Sequence, residues 1–165
     1  MSEEYIIKQL SIFSENKAGK LAAIAKIFLD AGISIQAFYI AEANNFGVVR
    51  AIVDKPEVAF DAFAKKNYVL KYTDVLAIKM NDVPGGLYEV VGLLGDLGIN
   101  IEYSYGYRTK DYGALIAKVE NPVEAVEKIK KSGLELLHVY DAFTRELPAE
   151  DSERIYFVCR RPARS

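Results

Sequence analysis

The sequence predicts an α+β fold: two β-α-β-β-α-β units side by side, their sheets joined into one eight-stranded antiparallel sheet with the helices on one face. Three observations carry this. Apolar residues switch between strand-like runs and helical spacing in the order β-α-β-β-α-β. That order occurs twice. The two copies also align without a gap over most of their length at an offset of 66 residues, as Gly19 and Gly85 do. At the same offset Ile12 meets Ile78, Leu21 meets Leu87, Gly32 meets Gly98, Ile33 meets Ile99, Ile35 meets Ile101, Gly47 meets Gly113 and Pro56 meets Pro122. Glycines and prolines coincide at caps and turns, and apolar residues at core positions, as an internal duplication requires.

The elements follow in order. Tyr5 to Phe13 is a β-prone run with Ile6, Ile7, Leu10 and Ile12. Ser14 to Gly19 is a turn. Leu21, Ile24, Ala25 and Phe28 fall at helical spacing, and Gly32 supplies the left-handed stop. Ile33 to Glu42 and Gly47 to Asp54 are strands joined by the hairpin signal Asn44-Asn45. Pro56 opens a second helix, with Val58, Ala59, Ala62 and Phe63 as its apolar stripe. Tyr68 to Tyr72 is a fourth strand. The second copy repeats this with a strand at Val75 to Met80, a turn at Asp82 to Gly85, a helix carrying Leu87, Val90, Val91 and Leu94, and a stop at Gly98. Strands at Ile99 to Tyr105 and Tyr112 to Val119, a helix from Pro122 and a strand at Leu134 to Val139 complete it. The expected division is 1–73, 74–140 and an extension, 141–165, with one more strand at Arg154 to Cys159 and a basic end at Arg160, Arg161 and Arg164.

At 165 residues each half alone has a marginal core, so the halves gain by packing together. A net charge of −2 gives no general attraction to nucleic acid. No apolar stretch approaches the ~18 residues of a membrane span. No signal peptide is visible, and Cys159 is the single cysteine, so a reducing, cytoplasmic setting is expected. His138 and Cys159 cannot assemble a metal set at standard spacing, and no cofactor is expected. Gly92, Gly95 and Gly98 lie within and after a helix, not before one, which excludes a dinucleotide loop; close packing of that helix is the reading for Gly92 and Gly95. Tyr103, Tyr105, Tyr107 and Tyr112 read as strand formers at a subunit contact.

The segments Asn16-Lys17-Ala18-Gly19-Lys20-Leu21 with Gly32-Ile33-Ser34-Ile35, and Asp82-Val83-Pro84-Gly85-Gly86-Leu87 with Gly98-Ile99-Asn100-Ile101, resemble the ACT domain, a regulatory module that senses amino acids. In that family an Asn or Asp, any residue, Pro and Gly precede the first helix, and Gly-Ile/Val-Asn-Ile follows it. The second copy matches throughout. The first has Ala18 in place of proline and Ser34 in place of asparagine.

The resemblance implies a non-catalytic regulator with a free amino acid bound between two modules, one loop facing the neighbour's second strand. Asp82 can accept hydrogen bonds from the ligand ammonium. The N–H groups around Gly85, Gly86 and Leu87 suit its carboxylate, and Asn100 can read either group. Asn16, Gly19 and Ser34 form a neutral counterpart. The expected pairing sets the Asp82 loop against Ile33-Ser34 and the Asn16 loop against Asn100. Equally, Asp82 could serve only as a helix N-cap. A homodimer through an open, half-apolar sheet face and a metabolic enzyme as partner are expected. The competing readings are a regulatory subunit resembling the acetolactate synthase small subunit, and a tandem-ACT transcriptional co-regulator acting through protein contact. An acylphosphatase-like enzyme would want an arginine in the first turn, which Asn16 to Gly19 lacks.

Overall fold

A computed structural model of the chain describes residues 2–43, 46–108 and 112–138. After a 3-10 turn at Glu3–Tyr5 come β1 (Ile6–Glu15), α1 (Lys20–Asp30), β2 (Ile35–Ala43), β3 (Phe46–Val53), α2 (Pro56–Ala64) and β4 (Val69–Met80). Then follow α3 (Gly86–Asp96), β5 (Ile101–Arg108), β6 (Gly113–Val119) and α4 (Pro122–Ser132). The strands form one antiparallel sheet in the order β2-β3-β1-β4-β6-β5.

The sheet has six strands where eight were expected. The runs at Tyr68 to Tyr72 and Val75 to Met80 are one strand, β4. No glycine, proline or asparagine interrupts them, and Thr73 and Asp74 keep their places opposite Gln9 and Lys8. The run from Leu134 is reduced, among the described residues, to a bridge between Leu136 and Ile78. There the Lys79 N–H donates to the Glu135 carbonyl and the Leu137 N–H to that of Ala77, both at 2.9 Å. The reason is room: β1 flanks β4 as far as Leu76, leaving only its last residues free on that side. The Asn44-Asn45 turn, Val139 and the extension 141–165 with Cys159 and its arginines lie outside the described residues.

The helices stop where glycine allows it. Gly32 and Gly98 take φ of +63° and +69°. The Ile33 and Ile99 N–H groups reach back to the carbonyls of Phe28 and Leu94, closing Schellman turns. One face of the sheet carries both helix layers. Leu10, Ile12, Val49, Ala51 and Val53 pack against Ile24, Phe28, Ala59 and Phe63 of the first copy. Ile6, Leu76, Ile78, Leu115 and Val119 pack against Val90, Leu94, Val126 and Ile129 of the second. Gly92 and Gly95 have no packing role: a Cβ at either would meet nothing within 4 Å. Nothing in the structure explains them.

The opposite face is not open. Its residues Ile7, Ile52, Val75, Ala77, Ala114 and Ile116 are buried, because the sheet curls until its two edge strands meet over them. Tyr39 of β2 stacks on Tyr105 of β5 with ring centroids 5.5 Å apart. The Arg50 guanidinium of β3 lies 3.7 Å from the ring centroid of Tyr103. Gln9 of β1, fully buried, donates to the Tyr103 hydroxyl and accepts from that of Tyr105, each at 2.8 Å. These tyrosines therefore join the two copies of one chain, and the half-apolar face expected to dimerise is covered by the chain's own edges.

The register makes the duplication visible in space. Lys8 pairs with Asp74, 66 positions away, with a 2.6 Å contact between their charges. Tyr39 and Tyr105 are separated by the same offset. A pseudo-two-fold axis relating the copies thus passes through an ion pair on the helix side and a tyrosine stack on the other.

Burial pushes the Tyr105 hydroxyl well above the usual phenol range, aided by the neighbouring Tyr103, and burial does the same to Tyr107 beside Tyr112. In the unfolded chain phenols ionise near about pH 10; in the folded chain these two keep their protons. Stability from this source is complete below about pH 10 and declines as pH rises further. The slope is at most about 1.4 kcal/mol per pH unit for Tyr105, and smaller for the more accessible Tyr107. Urea unfolding at successive pH values checks this; a flat profile from pH 9 to about 11.5 would exclude it.

Candidate functional site

β4 ends at Met80, and residues 81–85 turn the chain into α3. The Gly86 N–H donates to the Val83 carbonyl at 3.0 Å, and the first copy repeats the turn with Lys20 and Lys17 at 3.2 Å. Gly85 and Gly19 occupy the N-cap positions with φ of +95° and +84° and offer no side-chain cap. The left-handed conformation is why glycine stands there.

Asp82 is consequently not a helix cap. Its carboxylate pairs with Arg108 at the end of β5, Nη2 to Oδ2 at 2.5 Å, and stays 40% exposed. The Gly86 N–H is already engaged within the turn, so it is not free for a ligand carboxylate as expected. The next N–H groups, of Leu87 and Tyr88, belong to a helix start without a side-chain cap. The loop therefore sets an anion, a cation and the positive end of a helix dipole close together. Val83, Leu87 and Tyr88 are exposed around it.

The first-copy counterpart differs in charge. Asn16 stands for Asp82, and Glu42 for Arg108. Glu15 pairs with Lys17 and Lys20 at 3.3 and 3.5 Å, and the Lys17 ammonium holds its carboxyl below the usual range. The Ser34 N–H donates to Asp54 Oδ1 at 2.9 Å, and Lys55 Nζ donates to the Gly32 carbonyl at 3.1 Å. Asn100 lines a polar cleft of about 180 Å³ with Glu120, Asn121, Glu124 and Lys128.

These segments are not gathered into one site within the chain. β1 and β4 are antiparallel, so the Asn16 and Asp82 loops leave opposite ends of the sheet. Asp82 and Asn100 flank α3, whose 11 residues span about 16 Å. Among the described residues no hydrogen bond or ion pair links the Asp82 loop to Ser34, or the Asn16 loop to Asn100; the polar contacts of these segments stay within their own copies.

Sequence reasoning missed Arg108 and the Gln9 network. Gln9 and Ser11 did leave a trace, as polar residues two apart in an otherwise apolar strand. Arg108 left none, because its contact with Asp82 joins a loop to a strand end far along the chain.

A duplicated α+β unit in which a glycine-opened helix follows the first strand of each copy is the architecture of paired ACT domains. The chain belongs to the ACT domain pair family, whose match spans residues 5–144. It is similar to a Bacteroides thetaiotaomicron protein of known structure, with 33% identity, 84% of this chain and 96% of that one covered, and a TM-score of 0.79. It shares its fold with the regulatory subunit of aspartate kinase from Thermus thermophilus, at 13% identity, 79% and 95% coverage and a TM-score of 0.57. No functionally curated protein matches the chain. Among the described residues no helix is long and apolar enough to cross a membrane.

Proposed function

We propose that the protein is a non-catalytic regulator that binds a free amino acid at the Asp82 loop and acts on a metabolic enzyme. The observation that carries this is the carboxylate of Asp82: partly exposed, paired with Arg108 rather than capping α3. An amino acid is a zwitterion. Its ammonium matches Asp82, and its carboxylate matches Arg108 and the N–H groups of Leu87 and Tyr88. The loops stand apart within one chain, which supports a ligand held between two chains of a homodimer, the Asp82 loop of one against the Ser34 edge of the other. The enzyme partner is suggested by the shared fold with an enzyme's regulatory subunit.

Calorimetry and thermal shift with the twenty amino acids test this. At least one should bind, and Asp82→Ala should weaken it by about 10- to 100-fold through loss of a charge-assisted contact. Absence of binding by every amino acid would sink the reading. Retained affinity in Asp82→Ala would remove Asp82 from the site.

A further inference from the structure

On the helix-free face, Ser11 of β1 is flanked in register by Arg50 of β3 and Lys71 of β4. Directly paired residues of an antiparallel sheet point to one face, so the three side chains form a row across adjacent strands. Arg50 is partly exposed, yet its Nε is buried without a hydrogen-bond partner. Lys71 is exposed. Among the described residues neither makes a salt bridge. Asp74, on β4 three residues beyond Lys71, is paired with Lys8, and Glu102 of β5 is paired with Lys118. The Ser11 hydroxyl shares a hydrogen bond of 2.8 Å with Thr73.

The stack of Arg50 on Tyr103 occupies one face of the guanidinium plane. It leaves the in-plane N–H donors unanswered, and those are what an oxyanion accepts from. The second copy shows that packing does not demand this chemistry. The residues 66 positions on from Ser11, Arg50 and Lys71 are Ala77, Ile116 and Leu137. They occupy the equivalent places: Ala77 pairs with Ile116, and the Leu137 N–H donates to the Ala77 carbonyl. All three are buried in the apolar cluster of that face. One scaffold therefore carries hydrocarbon in one corner, and two cations around a hydroxyl in the other.

We propose that Arg50 and Lys71 form a binding site for a small oxyanion, a carboxylate or a phosphate, bridged over Ser11 and separate from the Asp82 loop. The flanking strands are two steps apart, about 10 Å, a gap that two long cationic side chains span from either side of one anion. Arg50 supplies the paired donors and Lys71 the opposing point charge.

The test is NMR titration of the full chain, following the Arg50 Nε–H resonance, with inorganic phosphate and malonate in separate arms and sodium chloride of matched ionic strength as reference. Saturable shifts absent from the chloride series are expected. The arm that saturates at lower concentration separates phosphate from carboxylate. Lys71→Gln should weaken binding by about tenfold. In Arg50→Ile, which installs the second copy's own residue, binding should be lost by calorimetry. Shifts that track ionic strength alone, or calorimetric affinity unchanged in Arg50→Ile, would overturn the proposal.

Discussion

Gly86→Ala is expected to lower folding stability by about 3 kcal/mol, while Gly92→Ala and Gly95→Ala on the same helix raise it by about 0.5–1 kcal/mol each. The sign reverses because of what each new methyl would meet. At Gly86 a Cβ would lie 2.0 Å from the Asn81 carbonyl oxygen and 3.0 Å from its carbon, both backbone atoms. Neither can swing aside as a side chain would, so the loop or the first turn of α3 has to move. At Gly92 and Gly95 there is nothing within 4 Å, and alanine simply restricts the unfolded chain and favours the helix. Urea unfolding of the three variants measures this. Wild-type stability in Gly86→Ala would show that Asn81 does not press on the helix start in solution.

The same contact links stability to the site. Asn81 immediately precedes Asp82, so the missing side chain at Gly86 is what lets the acidic loop settle against α3. The first copy has Lys20 at the aligned position, with the same Lys17–Lys20 turn. The turn therefore does not need a second glycine; the close seat of the loop does. Gly86→Ala should also weaken any ligand held by Asp82, even though Gly86 has no free N–H to offer.

Much of this was readable in the residues. Gly19, Gly32, Gly85 and Gly98 mark turns that only a positive φ can make, and all four adopt it. Helix faces followed from apolar spacing only in part: Ile24, Phe28, Ala59, Phe63, Val90 and Leu94 are buried, but Leu21, Val58 and Leu87 of the same stripes are exposed. The joined strand was not readable by the same means. Breaker residues announce ends, and the Tyr72 to Val75 junction has none, yet a reader who expects each copy to close its own sheet places an end there. Asp74 looks like loop chemistry until Lys8 is seen opposite it. The curl was hidden more deeply. Alternation shows which residues share a face, but not that the face bends until Tyr39 and Tyr105 touch.

Gln9→Leu is expected to cost about 1–3 kcal/mol, the burden of two part-buried hydroxyls left without their partner. Gln9 is fully buried, and its amide serves both Tyr103 and Tyr105 from the opposite copy at 2.8 Å. Leucine is close in volume, so the loss is polar rather than a cavity. The aligned residue, Val75, is equally buried and is hydrocarbon, so this register accepts an apolar side chain. Restoring balance from the other side should therefore recover much of the loss. Adding Tyr103→Phe and Tyr105→Phe to Gln9→Leu removes both partners together, which is nearly neutral for a buried hydrogen bond. The triple variant should then be more stable than Gln9→Leu alone, although the Tyr→Phe changes in the wild-type background are each destabilising by about 1 kcal/mol. Simple additivity of these changes in urea unfolding would mean that the three side chains do not act as one network, and that the seam between the copies is held by the Tyr39–Tyr105 stack and the apolar cluster instead.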